Sequence, residues 1–226
     1  FVRFGYTNLT NDDVIPESGL DRNHASLNGT IKSDKFTLAA NVNYMVENTH
    51  NRPGLGDSPN NVGYSLSSLA PSFDQAWLKN YKNEETGQIY PWNNNVYQLN
   101  PYFTTQENHN TSVKNRFIGN VTGTYQLENW VGLTFRTGLD SYAFSSKDFM
   151  EAGSTWPGRD EGYLGLDNIN VSEMNTDIIA TFSDIKLATD FTFSGILGTG
   201  RRDFKREQNS RFGTKIIEPG TEYISN

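Results

Sequence analysis

The chain has 226 residues, with 19 Lys and Arg against 26 Asp and Glu, a formal charge of -7. That balance excludes a nucleic-acid role, which needs a basic face, and the lack of Cys excludes disulfides and thiolate zinc sites. Mean hydropathy is -0.63 and no run of about twenty apolar residues exists, which rules out a spanning helix but not a wall of alternating strands.

Taken in chain order, residues 1–8 read as a strand and 9–23 as a loop. Residues 24–33 and 36–47 read as a strand pair closed tightly at Asp34. A very long connection, 48–111, comes next. Residues 112–127 and 130–145 form a hairpin through Glu128 and Asn129, and a second long connection reaches residue 175. Residues 176–183 turn at 184–186 into 187–204, and an irregular tail runs to 226. Short and long connections therefore alternate, so the long ones gather at one end of the strands. Outer-membrane barrels share that asymmetry, with short periplasmic turns and long outer loops; soluble hairpin proteins seldom do.

The strands alternate as a barrel wall requires. In 36–46, Phe36, Leu38, Ala40, Val42, Tyr44 and Val46 share one face, and Thr37, Ala39, Asn41, Asn43 and Met45 the other. In 117–127, Phe117, Val121, Tyr125 and Leu127 oppose Arg116, Asn120, Thr122 and Gln126. In 187–197, Leu187, Phe191, Phe193 and Leu197 oppose Asp190, Thr192 and Ser194. A soluble sandwich alternates too; strand length separates the two. Globular strands centre on roughly 5–6 residues, whereas a tilted membrane strand needs roughly 9–11. The expected fold class is all-β, a partial antiparallel transmembrane barrel wall with long extracellular loops and a short helical insertion. The chain opens inside an apolar strand with neither start methionine nor signal peptide. Seven long strands is also an odd number for a bacterial barrel. Residues 1–226 are therefore expected to be an internal piece of a larger barrel domain.

Local motifs in order carry a family resemblance. Phe1-Val2-Arg3-Phe4-Gly5-Tyr6 and Val14-Ile15-Pro16-Glu17-Ser18 precede Leu20-Asp21-Arg22-Asn23. Then come Val42-Asn43-Tyr44, Asn51-Arg52-Pro53 and Asn100-Pro101-Tyr102-Phe103. Asn115-Arg116-Phe117-Ile118-Gly119-Asn120, Trp130-Val131-Gly132-Leu133 and Arg136-Thr137-Gly138-Leu139-Asp140 follow. Glu218-Pro219-Gly220-Thr221-Glu222-Tyr223-Ile224-Ser225-Asn226 closes the chain. Together these resemble the SusC/RagA family of TonB-dependent outer-membrane transporters of Bacteroidota. The resemblance implies a 22-stranded barrel with an internal plug, a SusD-like surface lipoprotein as lid, and energy delivered by a TonB complex through an N-terminal segment. Oligosaccharides, peptides or similar nutrients are the implied substrates, and the lipid bilayer and lipopolysaccharide the implied surroundings. No cofactor is implied. Plug, N-terminal segment and remaining strands lie outside this sequence. The alternatives are a soluble secreted all-β carbohydrate-binding or adhesion module, and a siderophore or cobalamin receptor of similar barrel form. The Asn-Pro-Tyr-Phe and closing motifs favour the SusC type over the latter.

Recognition chemistry is expected in the loops. The long connection suggests helix over 62–69 and 72–81, broken at Pro71. Leu69, Phe73, Trp77 and Tyr81 recur at helix-face spacing. That stripe either packs the loop onto the rim or lid, or offers aromatic rings to substrate. Trp77, Tyr81, Trp92 and Tyr97 are the stacking candidates, with Asn93, Asn94 and Asn95 as amide hydrogen-bonding groups. Trp156 is the equivalent candidate in the second long loop. Trp130, beside the Glu128-Asn129 turn, is expected to anchor the membrane interface.

No catalytic constellation stands out. His24, His50 and His109 lack zinc spacing, and there is no nucleophile elbow or phosphate loop. The acidic pairs Asp12-Asp13, Glu84-Glu85 and Asp160-Glu161 read as solvated loop charge. Neither enzymatic activity nor a metal site is expected.

Overall fold

The computed structural model describes residues 1–90, 93–218 and 220–223. Seven strands form one antiparallel sheet in sequence order. They are β1 (Val2–Asp12), β2 (Gly19–Lys32), β3 (Phe36–His50), β4 (His109–Glu128), β5 (Val131–Met150), β6 (Tyr163–Ala188) and β7 (Phe191–Gly213). The sheet is open, with β1 and β7 at its edges. Two short helices, α1 (Val62–Ser67) and α2 (Pro101–Glu107), and a 3-10 turn at Gln75–Lys79 lie in the long connection. No helix among the described residues is long and apolar enough to cross a membrane, which says nothing about strands.

Several expected boundaries move. The first connection shrinks to 13–18, because Leu9 to Asp12 and Gly19 to Asn23 continue the β1–β2 ladder. The second long connection spans only 151–162, since β6 starts at Tyr163 and pairs along its length with β5. The turn expected at 184–186 is instead an irregularity inside β6. Asp184 takes φ 54°, the register shifts between Phe182 and Ile185, and the strand runs on to Ala188 before reversing. The left-handed residue is real, but it serves as a bulge, and bulges extend a strand while sharpening its twist. Leu187 and Phe191 consequently belong to different strands.

Register makes the sheet two-faced. Ile31, Leu38, Gly123, Phe135 and Ile178 pair successively across β2 to β6, as do Leu27, Val42, Gly119, Leu139 and Met174. Residues alternate along each strand, so all of these share one apolar face. That face is bare: Leu197 is 70% exposed and Ile178 54%. Burying a large aliphatic side chain is worth about 1.5–3 kcal/mol, so a continuous bare face of this kind calls for an apolar medium.

The apolar face has two aromatic borders. Near the short turns, Phe36 pairs with Tyr125, and Trp130 stacks on Phe182 at 6.4 Å. Toward the long loops, Tyr6, Ala25, Tyr44 and Phe117 form one register row. The Tyr6 hydroxyl donates to Asn23 Oδ1 at 2.6 Å and the Tyr44 hydroxyl reaches Asn115 Oδ1 at 3.4 Å. Both partners lie on the loop side, so each ring sits in the belt with its polar tip outside it. From Phe36 to Tyr44 the belt measures about 27 Å along the strand at about 3.4 Å per residue.

The belt runs diagonally across the register. The row holding Tyr44 and Phe117 continues through Ser141 and Ser172 to Lys205, so on β7 it has already reached charge. At the other end, Phe36, Tyr125, Leu133, Ala180 and Leu197 form a row close to the first turn, yet β6 continues from Ala180 to Ala188 before reversing. Both borders slide the same way. Strands tilted by roughly 35–45° in a barrel wall produce that stagger.

The conventional core lies elsewhere. Tyr81, Leu99, Phe103 and Met150 form a buried cluster at the long-loop end, with Phe103 fully buried, and Ile89, Tyr102, Trp156 and Tyr163 pack against it.

Candidate functional site

The opposite face of the sheet is polar and internally paired. Arg22 bonds Glu47 (2.5 and 2.8 Å), Arg116 bonds Asp140 (2.6 and 2.9 Å), Arg136 bonds Asp177 (2.7 and 2.9 Å), and Arg202 bonds Glu173 (2.8 Å). Register places all eight groups on this face, directly opposite one another or offset by two residues. An amide chain adds to it: Asn41 donates to Asn28, Asn43 donates to Asn41 at 2.6 Å, and His24 Nε2 lies 3.2 Å from Asn43 Oδ1.

The long connection folds over the loop end of this face, and asparagines tie it down. Asn51, at φ 48°, and Arg52 bond Asn110 through main chain and amide, pinching the two ends of the loop together. Asn100 caps α2 by accepting from the Tyr102 N–H, ahead of Pro101, while its amide donates to Leu78 O at 2.9 Å. The cap followed by proline is a helix-start signal that the family motif masked: α2 lies where no helix is expected. The expected helix over 72–81 tightens to the 3-10 turn capped by Asp74, so the Leu69–Phe73–Trp77–Tyr81 spacing does not form one helix face. Asn108 links the layers by donating to Asn60 and accepting from the Glu151 N–H.

The candidate residues separate into distinct settings. Tyr81 is buried edge-on against Phe103, its hydroxyl donating to Glu107 Oε1 at 2.9 Å. Burial above all, then Glu107, pushes that phenol up to about 12. Trp77 is 71% exposed and touches Phe73 edgewise at 5.6 Å. Asn93 donates to Gln98 Oε1 at 2.8 Å and accepts from the Asn95 N–H, and it lines a cavity of about 90 Å³ with Leu99, Phe103 and Gly153. Asn94 and Tyr97 are exposed at the surface. Trp92 lies outside the described residues. Trp130 stands at the far end of the sheet, half-exposed beside its tight turn. Tyr81 and Trp156, distant in sequence, share the loop cluster.

Trp156 also lines a larger cavity, about 330 Å³, between the loop and the polar face. Thr49, Ser112, Phe144, Ser146 and Asp148 face it from β3, β4 and β5, and Arg52, Asn60, Trp156 and Arg159 close it from the loops. Thr49 and Ser112 hydroxyls bond each other at 2.6 Å. The Arg159 guanidinium is held over the Trp156 ring at 4.4 Å and the Tyr163 ring at 3.8 Å. Burial pushes the Asp148 carboxyl up, opposed only in part by the charge of Arg159. Arg52, Asp148 and Arg159 were not among the expected site residues. The spacing of Trp156 and Arg159 around Pro157-Gly158 was the available signal, because a tight turn brings such positions together.

No protein-family model matches the chain, and no curated protein matches it in sequence. Solved structures do. The RagAB peptide importer in its closed-closed state superposes with a TM-score of 0.61 at 10% identity, covering 96% of this chain and 24% of that one. The chain folds like part of the RagA barrel. A second structure of the RagAB peptide transporter gives 0.59 at 12% identity over 96% of this chain and 24% of the other. The open-open state of the importer gives 0.59 at 11% over 100% and 25%. This chain thus spans about a quarter of the length of those proteins, and at such identities the likeness concerns fold.

Proposed function

We propose that the chain is wall and outer rim of a SusC-type importer in an outer membrane, carrying oligomeric nutrients such as peptides or oligosaccharides. The observation that carries this reading is the two-faced sheet. Its bare apolar belt, bordered by Tyr6, Tyr44 and Tyr125, fits lipid, and its ion-paired face fits a water-filled lumen. Further strands close the barrel at β1 and β7, since lipid does not tolerate open sheet edges.

In this reading the chain does no chemistry. The paired arginines and carboxylates line the passage, and the loops over the polar face receive substrate. A SusD-like lipoprotein covers the loop end, where Trp77 stands exposed beside Phe73 as a contact for the lid. Trp156 and Tyr97 face arriving substrate, while buried Tyr81 braces the loop. Trp130 anchors the short-turn interface. Energy comes from TonB through parts of the protein outside this sequence, and the likeness to a peptide importer makes peptides the first substrate to test.

The test is extraction of the parent polypeptide from source membranes, identified by peptides of this stretch. The expected result is a detergent-dependent species about four times the 25.4 kDa of this chain, as the quarter-length coverage implies, together with a lipoprotein. A detergent-independent species near 25 kDa would overturn the importer and favour a soluble all-β binding module.

A further inference from the structure

Four arginines of the polar face are held by carboxylates, whereas the two arginines of the 330 Å³ cavity are held more loosely or not at all. Arg159 makes no ion pair among the described residues: its guanidinium lies 4.4 Å from the Trp156 ring centroid and 3.8 Å from that of Tyr163, and one N–H points at Met150 Sδ at 3.6 Å. Held against two rings, the planar fork has little freedom to turn, and most of its donors lack an acceptor among the described residues. Arg52 is only loosely engaged. Its closest carboxylate oxygen, Glu47 Oε1, is 3.9 Å away, and Glu47 already takes two short bonds from Arg22. The Arg52 main chain is nonetheless held firmly by Asn110. Lys147, the remaining cation of the lining, is engaged by Glu222. Against these stands one lining carboxylate, Asp148, whose side chain makes no hydrogen bond or ion pair among the described residues. Hydroxyls of Thr49, Ser112 and Ser146 and the rings of Trp156 and Phe144 complete the walls.

We propose that this cavity is a carboxylate subsite, in which Arg159, assisted by Arg52, receives an anionic group of the incoming oligomer while Trp156 covers its apolar part. A pre-oriented guanidinium offers a carboxylate two parallel hydrogen bonds, the arrangement in which charge-assisted bonds are strongest. Wall and loops of net charge -7 otherwise repel acidic cargo, so a local cationic pocket on the lumen side gives such cargo a place to dock. Asp148 moderates the site by keeping it from holding an anion too firmly for passage. This inference rests on the importer reading and adds to it the chemistry of the recognised group.

The experiment uses the full-length protein in lipid nanodiscs and four probes: a tetrapeptide and its C-terminal amide, and a glucuronate-ended trisaccharide and its glucose-ended neutral analogue. The expected result is that an acid probe binds roughly ten- to a hundredfold tighter than its neutral partner. Arg159→Gln removes that preference, and the near-isosteric Asp148→Asn, which removes the opposing charge, enlarges it. The pair that shows the preference tells whether peptide or acidic sugar supplies the carboxylate. Equal binding of acid and neutral probes by the wild type overturns the subsite and leaves the importer standing, as does a preference that survives Arg159→Gln. Failure of the wild type to bind any of the four overturns both.

Discussion

Arg116 on β4 and Asp140 on β5 meet fork to fork, Nε to Oδ1 at 2.9 Å and Nη2 to Oδ2 at 2.6 Å, across one strand spacing of the polar face. Both side chains keep a third or more of their surface in water, which limits what the pair contributes. A double-mutant cycle with Arg116→Met and Asp140→Asn is expected to give a coupling of about 1 kcal/mol. Denaturant unfolding of the full-length barrel in detergent reads it. A coupling indistinguishable from zero would mean that the pair does not hold β4 against β5.

The two faces respond oppositely to the same charge. Val121 lies mid-belt beside Ala40, and Asn120 lies on the polar face beside Asn41. Val121→Lys is expected to cost about 2–4 kcal/mol in a bilayer, the usual depth-dependent penalty on a lipid face. Asn120→Lys is expected to change stability by no more than about 0.5 kcal/mol. Folding of each variant into vesicles, followed by gel mobility and urea titration, separates them. Equal tolerance at both sites would contradict the assignment of faces.

Tyr81 supplies a pH signature. Its phenol titrates near 12 instead of 10, because burial and then Glu107 disfavour the phenolate. The native state therefore holds a proton that the unfolded state has lost between these values. Stability contributed by the neutral hydroxyl is complete below pH 10 and declines as pH rises from 10 to 12. Ultraviolet absorbance at the tyrosinate band is expected to show a late step that Tyr81→Phe abolishes. The same substitution costs about 1 kcal/mol through the lost bond to Glu107. A late step that persists in Tyr81→Phe would assign it to another residue.

Gly153 joins the two long loops. It sits at φ 102°, and a Cβ built there falls 2.4 Å from Ile89 Cγ1. Gly153→Ala is expected to cost about 1–3 kcal/mol locally, from the backbone conformation and the contact together. Limited proteolysis reports it as faster cleavage near residues 83–90, around the small hairpin in which Lys82 bridges Ile89. Ile89→Ala in the same chain recovers the steric share and leaves the backbone share. Unchanged proteolysis of the single variant would show that this contact does not hold the loop.

The sequence by itself determined the two faces, the turns at Asp34 and, to within a residue, at Glu128-Asn129, and the concentration of long loops at one end. These follow from residue alternation and turn composition, which are local properties readable in one strand at a time. Strand extent was decided by tertiary structure. Tyr163 to Asn175 and Gly19 to Asn23 look like loop because most of these residues lie beyond the belt, where lipid imposes no alternation; only their partners on β5, β7, β1 and β3 make them strands. The same holds for Asp184, whose turn-like conformation is absorbed as a bulge once β7 pairs past it. The settings of the aromatic residues were equally nonlocal. Nothing in their spacing separates Tyr81, sealed against Phe103, from Trp77, left in the open, and Arg159, without an ion pair among the described residues, is held in place only when the loop brings Trp156 and Tyr163 against it. Alternation is a statement about one strand and its solvent. Burial and charge balance depend on partners distant in sequence, and only the folded chain brings those together.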